Sequence, residues 1–225
     1  MNIGVIKDIE KLGINEDVIN AYETSKTVLT GLGHKLIEVD FSELSSGICS
    51  YYVIAPAECS SNLSRFDGVK YGYRSEGEKD IANLYMNTRS DGFGDEVKKR
   101  ILIGTHVLSA GFYDAYYLQA QKVRRMIKVK FENFFKDVDL IFMPTTLDQA
   151  FEKDRKSDDP NRMYKEDLLT IPANLAGLPA ISFPNGFKNN LPIGGQLIGN
   201  YFGEDLLLNT TNKIQEVTDW HKMTP

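Results

Sequence analysis

The first 41 residues alternate between two hydrophobic patterns, and this alternation restricts the possible folds more than any other feature. Short runs of strand type occur at 2–6 and 36–41. Between them, residues recur at the three- and four-residue steps of one helix face, namely Val18, Tyr22, Ser25, Val28, Leu29 and Leu32. Gly33 stands where a left-handed residue would end the helix. The order strand, helix, strand predicts a β-α-β crossover onto a parallel sheet.

Two apolar runs later in the chain predict further strands. The run at 140–143 ends at Pro144, and the run at 180–183, apolar apart from Ser182, ends at Pro184. Such runs are typical of buried strands, and we expect both to be central in the sheet. Residues 194–198 predict one more strand, and 206–217 predict a closing helix.

The middle of the chain is predicted to be helical. Helical patterns cover 51–63 and 96–135, and the second stretch is too long for one uninterrupted helix. We expect an interruption at Gly104 or Gly111. Together these elements predict one α/β domain over residues 1–225, with a mixed β-sheet flanked by helices.

Composition limits the classes of partner. The 225 residues are 42% hydrophobic and 25% charged, as in an ordinary globular domain. The 31 acidic residues outnumber the 26 basic residues, which argues against a dedicated nucleic-acid surface on this chain. No apolar run approaches the ~20 residues of a membrane-spanning helix, and no signal peptide is recognisable at the N-terminus, so we expect a cytoplasmic protein without membrane contact.

A self-sufficient active site is not recognisable in the sequence. The chain has no Gly-x-Ser-x-Gly elbow, phosphate-binding loop or His-Glu-x-x-His motif. The three histidines are scattered, and the two cysteines fit no metal-binding spacing. We therefore assign no catalytic residue and no metal ligand to this chain.

Several longer motifs resemble one enzyme family. They are SSNLSRFDG at 60–68, YGYR at 71–74, GFGDEVKKR at 92–100, GFYDAYY at 111–117 and IPANLAGLPAIS at 171–182. Together they resemble the C-terminal half of the A subunits of aspartyl/glutamyl-tRNA amidotransferases, which are members of the amidase-signature family. The resemblance implies the C-terminal part of the amidase-signature fold.

The resemblance also implies an activity and its partners. Such A subunits hydrolyse glutamine with a serine that a second serine and a lysine activate, and these residues belong to the half that is missing here. The ammonia amidates a misacylated tRNA in a complex with the B and C subunits, where ATP and magnesium are used. No cofactor is expected in this chain. The alternative is a non-catalytic remnant or a scaffold fragment of an amidase.

Three residues resemble the glutamine-binding residues of that family. They are Tyr51, with Tyr52 as the adjacent alternative, Arg100 and Asp167. A guanidinium can bind the α-carboxylate of glutamine through two hydrogen bonds, and a carboxylate can bind its ammonium. A tyrosine hydroxyl can orient the carboxamide. Without the resemblance, Arg100 would be interpreted as a solvated cation, Asp167 as an early-helix acid and Tyr51 as a core aromatic residue.

Two further features are interpreted as structural. Asp158 and Asp159 precede Pro160, an order typical of a turn that opens a helix. Gly195 stands where the resembled family has a larger apolar residue, and its missing side chain indicates a relaxed constraint on that strand.

Overall fold

The computed structural model describes residues 1–77, 79–151 and 166–225, so the predicted turn at Asp158–Pro160 lies outside the described residues. The longer elements are, in chain order, β1 (Asn2–Ile6), α1 (Glu16–Gly31), β2 (Lys35–Val39), α2 (Gly47–Asn62), α3 (Ile81–Gly92), α4 (Asp95–Val107), α5 (Leu118–Phe134), β3 (Leu140–Pro144), α6 (Ile171–Ala176), β4 (Ala180–Lys188), β5 (Leu191–Gly199) and α7 (Glu204–Glu216).

The chain divides into two compact units. The first comprises Met1–Ile48 and Arg124–Pro225, and the second comprises Cys49–Val123. All five described strands therefore belong to the first unit, and the second is helical. The prediction of a single domain over the whole chain stays a prediction.

The five strands form one mixed sheet in the order β2-β1-β3-β5-β4. β1 pairs in parallel with β2 and β3, whereas β5 pairs antiparallel with β3 and β4. This arrangement confirms the predicted α/β fold with a mixed sheet. The predicted β-α-β crossover is also confirmed, with Gly33 in the left-handed conformation (φ 82°) just after α1.

The inner face of α1 covers the centre of the sheet. Tyr22 is fully buried, and its ring stacks on Phe142 of β3 at a centroid distance of 5.1 Å. The Tyr22 hydroxyl accepts a hydrogen bond of 2.8 Å from the backbone N–H of Ile6 in β1. One helical side chain thus contributes apolar area and also satisfies a buried backbone donor.

The position of β4 differs from the expectation. β3 is central, as predicted, but β4 lies at the edge of the described sheet, beyond β5. The reason is a tight hairpin, since only Asn189 and Asn190 separate β4 from β5, and both have positive φ values of 51° and 63°. Two-residue hairpin turns favour such residues because their twist matches that of the strands. The burial of β4 follows this edge position: within 180–183 only Phe183 is buried, and Ala180 and Ser182 are exposed, so the prediction of a buried strand here is wrong.

In the second unit, the long helical stretch is interrupted where one of the two predicted glycines lies. α4 ends at Val107, and Gly111, with φ 87°, precedes a π-helical turn at Tyr113–Tyr117 that leads into α5. Gly104 lies inside α4 and does not interrupt it. A Cβ atom at Gly104 would lie 1.9 Å from the carbonyl oxygen of Pro56, so this glycine permits the close approach of α2 and α4.

Candidate functional site

Arg100 lies on α4 and forms an ion pair within that helix. Its Nε donates a hydrogen bond of 3.0 Å to Oε1 of Glu96, one turn earlier. The two side chains are 34% and 52% exposed, so water screens this pair and its contribution to stability is small. The bond uses one of the five N–H groups of the guanidinium.

Tyr51 of α2 is the second polar partner of this guanidinium. The carboxylate of Glu96 and, after it, the hydroxyl of Tyr51 raise the pKa of Arg100 above its usual value through side-chain hydrogen bonds. The Tyr51 ring also meets the Tyr52 ring edge to face, with centroids 5.1 Å apart. Of the two adjacent tyrosines, Tyr51 is the one whose hydroxyl contributes to the raised pKa of Arg100.

The contact between α2 and α4 depends on residues with small side chains. Gly104 packs against the backbone of Pro56, and the hydroxyl groups of Ser60 and Thr105 lie 2.8 Å apart. Because both helices are held at this contact, Tyr51 and Arg100 are held on neighbouring rigid elements. A site built on helices keeps its geometry better than one built on loops.

Within the cluster of Tyr51, Glu96 and Arg100, the group able to bind an anion is the guanidinium of Arg100. A guanidinium has five N–H groups and is always protonated, so its bonds to Glu96 and Tyr51 leave donors for a ligand carboxylate. A hydroxyl beside it can donate to or accept from a neutral polar group of the same ligand.

Asp167 belongs to the other unit, where it is half-buried in the short turn that precedes α6. Its backbone carbonyl accepts hydrogen bonds from the N–H groups of Thr170 and Ile171, at 3.2 and 3.0 Å. The structure thus brings Tyr51 and Arg100 together and places Asp167 in the first unit. The role of all three in substrate binding stays a prediction.

Sequence reasoning missed two residues beside the predicted ones. Glu96 stands four residues before Arg100, and this spacing on a predicted helix is itself a signal of an ion pair. Gln196 is a polar residue inside a predicted strand and is only 4% exposed. Its side chain donates to the carbonyl oxygen of Leu169, in the turn that carries Asp167, at 2.9 Å.

Two further kinds of feature are absent from the described part of the chain. Across residues 1–77, 79–151 and 166–225, no three His, Cys, Asp or Glu side chains are grouped so that they could hold a metal ion. None of the described helices has the length and apolar character that crossing a membrane requires.

Comparison with known proteins identifies similar sequences over the full chain. The family model described as Amidase matches residues 1–208. The A subunit of glutamyl-tRNA(Gln) amidotransferase from Hahella chejuensis is 53% identical over 225 residues, which are 100% of this chain and 46% of that protein. The protein of the same name from Coxiella burnetii (strain Dugway 5J108-111) is 51% identical, over 100% of this chain and 47% of that protein. The chain thus spans less than half the length of these relatives.

Solved structures show the same fold. The crystal structure of the glutamyl-tRNA(Gln) amidotransferase A subunit from Thermotoga maritima matches with a TM-score of 0.74 and 36% identity, covering 100% of this chain and 44% of that one. A 6-aminohexanoate cyclic dimer hydrolase matches with a TM-score of 0.71 over 99% of this chain and 46% of that one. At 19% identity, that second likeness shows the fold alone.

Proposed function

Because the chain belongs to the amidase family, we propose that it is the C-terminal part of a glutamyl-tRNA(Gln) amidotransferase A subunit and recognises glutamine. The complete A subunit hydrolyses the side-chain amide of glutamine, which consumes one water and yields glutamate and ammonia. Support comes from the identity of 53% to the A subunit of Hahella chejuensis. The observation that carries the proposal is the Arg100 guanidinium, held by Glu96 and Tyr51 with donors left for a ligand.

The proposed site fits the charges of free glutamine. Glutamine is a zwitterion, so one cationic and one anionic side chain are needed to bind its main-chain groups. In this proposal Arg100 binds the α-carboxylate and Asp167 binds the α-ammonium, while the Tyr51 hydroxyl orients the carboxamide. None of the three transfers a proton in the reaction.

The remaining chemistry is assigned to other parts of the enzyme. The serine nucleophile, the second serine and the lysine belong to the other half of the A subunit, because this sequence contains no segment rich in Gly and Ser that could supply them. The ammonia passes to the B subunit, which amidates a misacylated tRNA with ATP and magnesium, in a complex that also contains the C subunit. The acidic balance of this chain, with a net charge of −5, agrees with a tRNA surface located on a partner.

The test is glutamine hydrolysis by the complete A subunit as the glutamine concentration is varied. Arg100→Ala and Asp167→Ala should raise the KM by the equivalent of about 1.5–3 kcal/mol each, the typical contribution of a hydrogen bond to a charged group, because both residues are half-buried. Tyr51→Phe should have a smaller effect. Lys99→Ala is the matched control, because Lys99 is the exposed cation next to Arg100 and should leave the KM unchanged.

If both charge deletions leave the concentration dependence as it was, these residues are structural and the assigned site is wrong. A loss of turnover number at unchanged KM would also contradict a role in ground-state binding.

A further inference from the structure

Gln196 is a buried carboxamide in the middle of the sheet. It lies on β5, where its register partners are Met143 of β3 and Ser182 of β4. Its side chain is 4% exposed, so its two N–H donors cannot be satisfied by bulk water. A polar residue in this place needs partners within the protein.

Both hydrogen-bond partners of the Gln196 side chain are backbone carbonyl groups, and they belong to two different segments of the chain. Nε2 of Gln196 donates to the carbonyl oxygen of Pro144 at 3.1 Å and to that of Leu169 at 2.9 Å. Pro144 is the last residue of β3, and Leu169 lies in the turn before α6. One side chain therefore ties this turn to the end of a central strand.

The tied turn is the one that carries Asp167. The fully buried Leu169 side chain anchors the turn two residues after Asp167. On its other side, the Asp167 carbonyl accepts from the backbone N–H of Ile171, the first residue of α6. The position of Asp167 is thus restrained directly by the first residue of α6. It is also restrained by β5, through the bond of Gln196 to Leu169.

We propose that Gln196 is a positioning residue for Asp167 and, through it, for the ammonium group of the substrate. This inference rests on the proposed function, in which Asp167 binds that group. Gln196 acts without contacting glutamine, since it holds the backbone from which the Asp167 side chain extends. Groups that bind a substrate must be held within about 0.5 Å of the productive geometry to be effective. The two hydrogen bonds of Gln196 to backbone carbonyl groups provide that restraint.

The experiment compares two buried carboxamides in the same hairpin. Gln196→Met keeps the side-chain length and removes both donors. The control is Asn185→Leu, because Asn185 of β4 is 1% exposed and its side-chain nitrogen and oxygen have no hydrogen-bond partner in the described part of the chain. If Gln196→Met does not fold, Gln196→Asn takes its place. Its carboxamide keeps both N–H donors, but the side chain is one methylene shorter, so the donors lie farther from the two carbonyl groups.

The first readout is hydrogen exchange at the amides of Thr170 and Ile171, which bond to the Asp167 carbonyl. Gln196→Met should accelerate their exchange at least about tenfold, equivalent to about 1.4 kcal/mol, whereas Asn185→Leu should not. Unchanged exchange in Gln196→Met would overturn the proposal whatever the function of the protein.

The second readout is substrate selectivity in the complete A subunit. Gln196→Met should raise the KM for glutamine about tenfold at nearly unchanged kcat, as expected when a binding group is displaced. With glutaramate, which lacks the α-amino group, the variant and the parent should have the same KM, because Asp167 then has no ammonium to bind. A purely structural defect would affect both substrates equally.

The outcomes separate this inference from the proposed function. Faster exchange with an unchanged glutamine KM would overturn the positioning role. If Asp167→Ala nevertheless raises the KM in that case, the glutamine site stands and only Gln196 is misassigned. If Asp167→Ala also has no effect, the proposed ammonium site fails as well.

Discussion

The sheet-containing unit and the helical unit differ in how completely they bury large apolar side chains. All 12 of the largest fully buried side chains among the described residues belong to the first unit, including Phe142 and Leu197. In the second unit, large apolar residues of α3, α4 and the turn after α4 are exposed, among them Ile81, Met86, Leu102, Ile103, Phe112 and Tyr116. Both units expose some large apolar residues, such as Phe202 in the first, but only the first also contains the largest fully buried side chains.

The proposed function gives this difference a cause. The relative from Hahella chejuensis is about twice as long as this chain, which covers only 46% of it. We attribute the exposed side chains of the second unit to a surface that the rest of the A subunit covers. The Arg100 and Tyr51 pair belongs to this unit, whereas Asp167 belongs to the first, so on this account only the residues assigned to the α-carboxylate and the carboxamide lie in the unit with less burial.

The largest effect should come from removing a core aromatic residue of the first unit. Phe142 is fully buried and stacks on Tyr22 and Phe183. Phe142→Ala should lower the free energy of unfolding by about 3–5 kcal/mol. Leu102→Ala, at a residue that is 71% exposed, should change it by less than about 0.5 kcal/mol. Denaturant unfolding measures both, and equal losses would remove the contrast between the units.

An intermediate effect is expected at the helix contact that supports Arg100. A methyl group at Gly104 would meet the Pro56 backbone at 1.9 Å, so Gly104→Ala must move α2 and α4 apart. We expect a loss of about 1–3 kcal/mol in stability and a higher glutamine KM in the complete A subunit. Gly94→Ala is the control, because the space beside Gly94 is open. If the stability falls and the glutamine KM stays constant, the contact between α2 and α4 does not support substrate binding.

The smallest effect on unfolding, but a clear effect on association, is expected at the exposed apolar residues. The isolated chain should self-associate, and Leu102→Lys with Met86→Lys should reduce this association while changing stability by less than about 0.5 kcal/mol. Leu208→Lys in α7, at a residue of the first unit that is 59% exposed, is the control and should have a smaller effect. Sedimentation velocity measures the outcome. A clean monomer of the parent chain would contradict the account.

Much of the first unit could be predicted because its patterns are local. The inner face of α1, the end of that helix at Gly33 and the buried strand β3 follow from residue spacing and turn chemistry. The edge position of β4 could not be predicted from its apolar run. The Asn189–Asn190 pair was the available signal, because two consecutive residues that tolerate positive φ favour a tight hairpin.

The residues that were misread or missed act through distant contacts. A glycine within a helical pattern predicts an interruption, but Gly104 instead lets α4 approach the backbone of Pro56 in α2. Only the tertiary structure reveals this contact. A Cβ at Gly195 would lie 3.1 Å from the Asn185 side chain, so this glycine makes room for a neighbour, which is a packing reason for its presence. The two bonds of Gln196 join segments 27 and 52 residues away along the chain, beyond the reach of any local pattern.

The most direct test of the central claim is ammonia release from glutamine by the purified chain, measured alone and after the other half of the A subunit is supplied. The account predicts no turnover by the isolated chain, because activation of a serine nucleophile needs groups that this sequence lacks. It predicts turnover when both halves are present, and none from the other half alone. Glutamine hydrolysis at enzyme-like rates by the isolated chain would contradict the account.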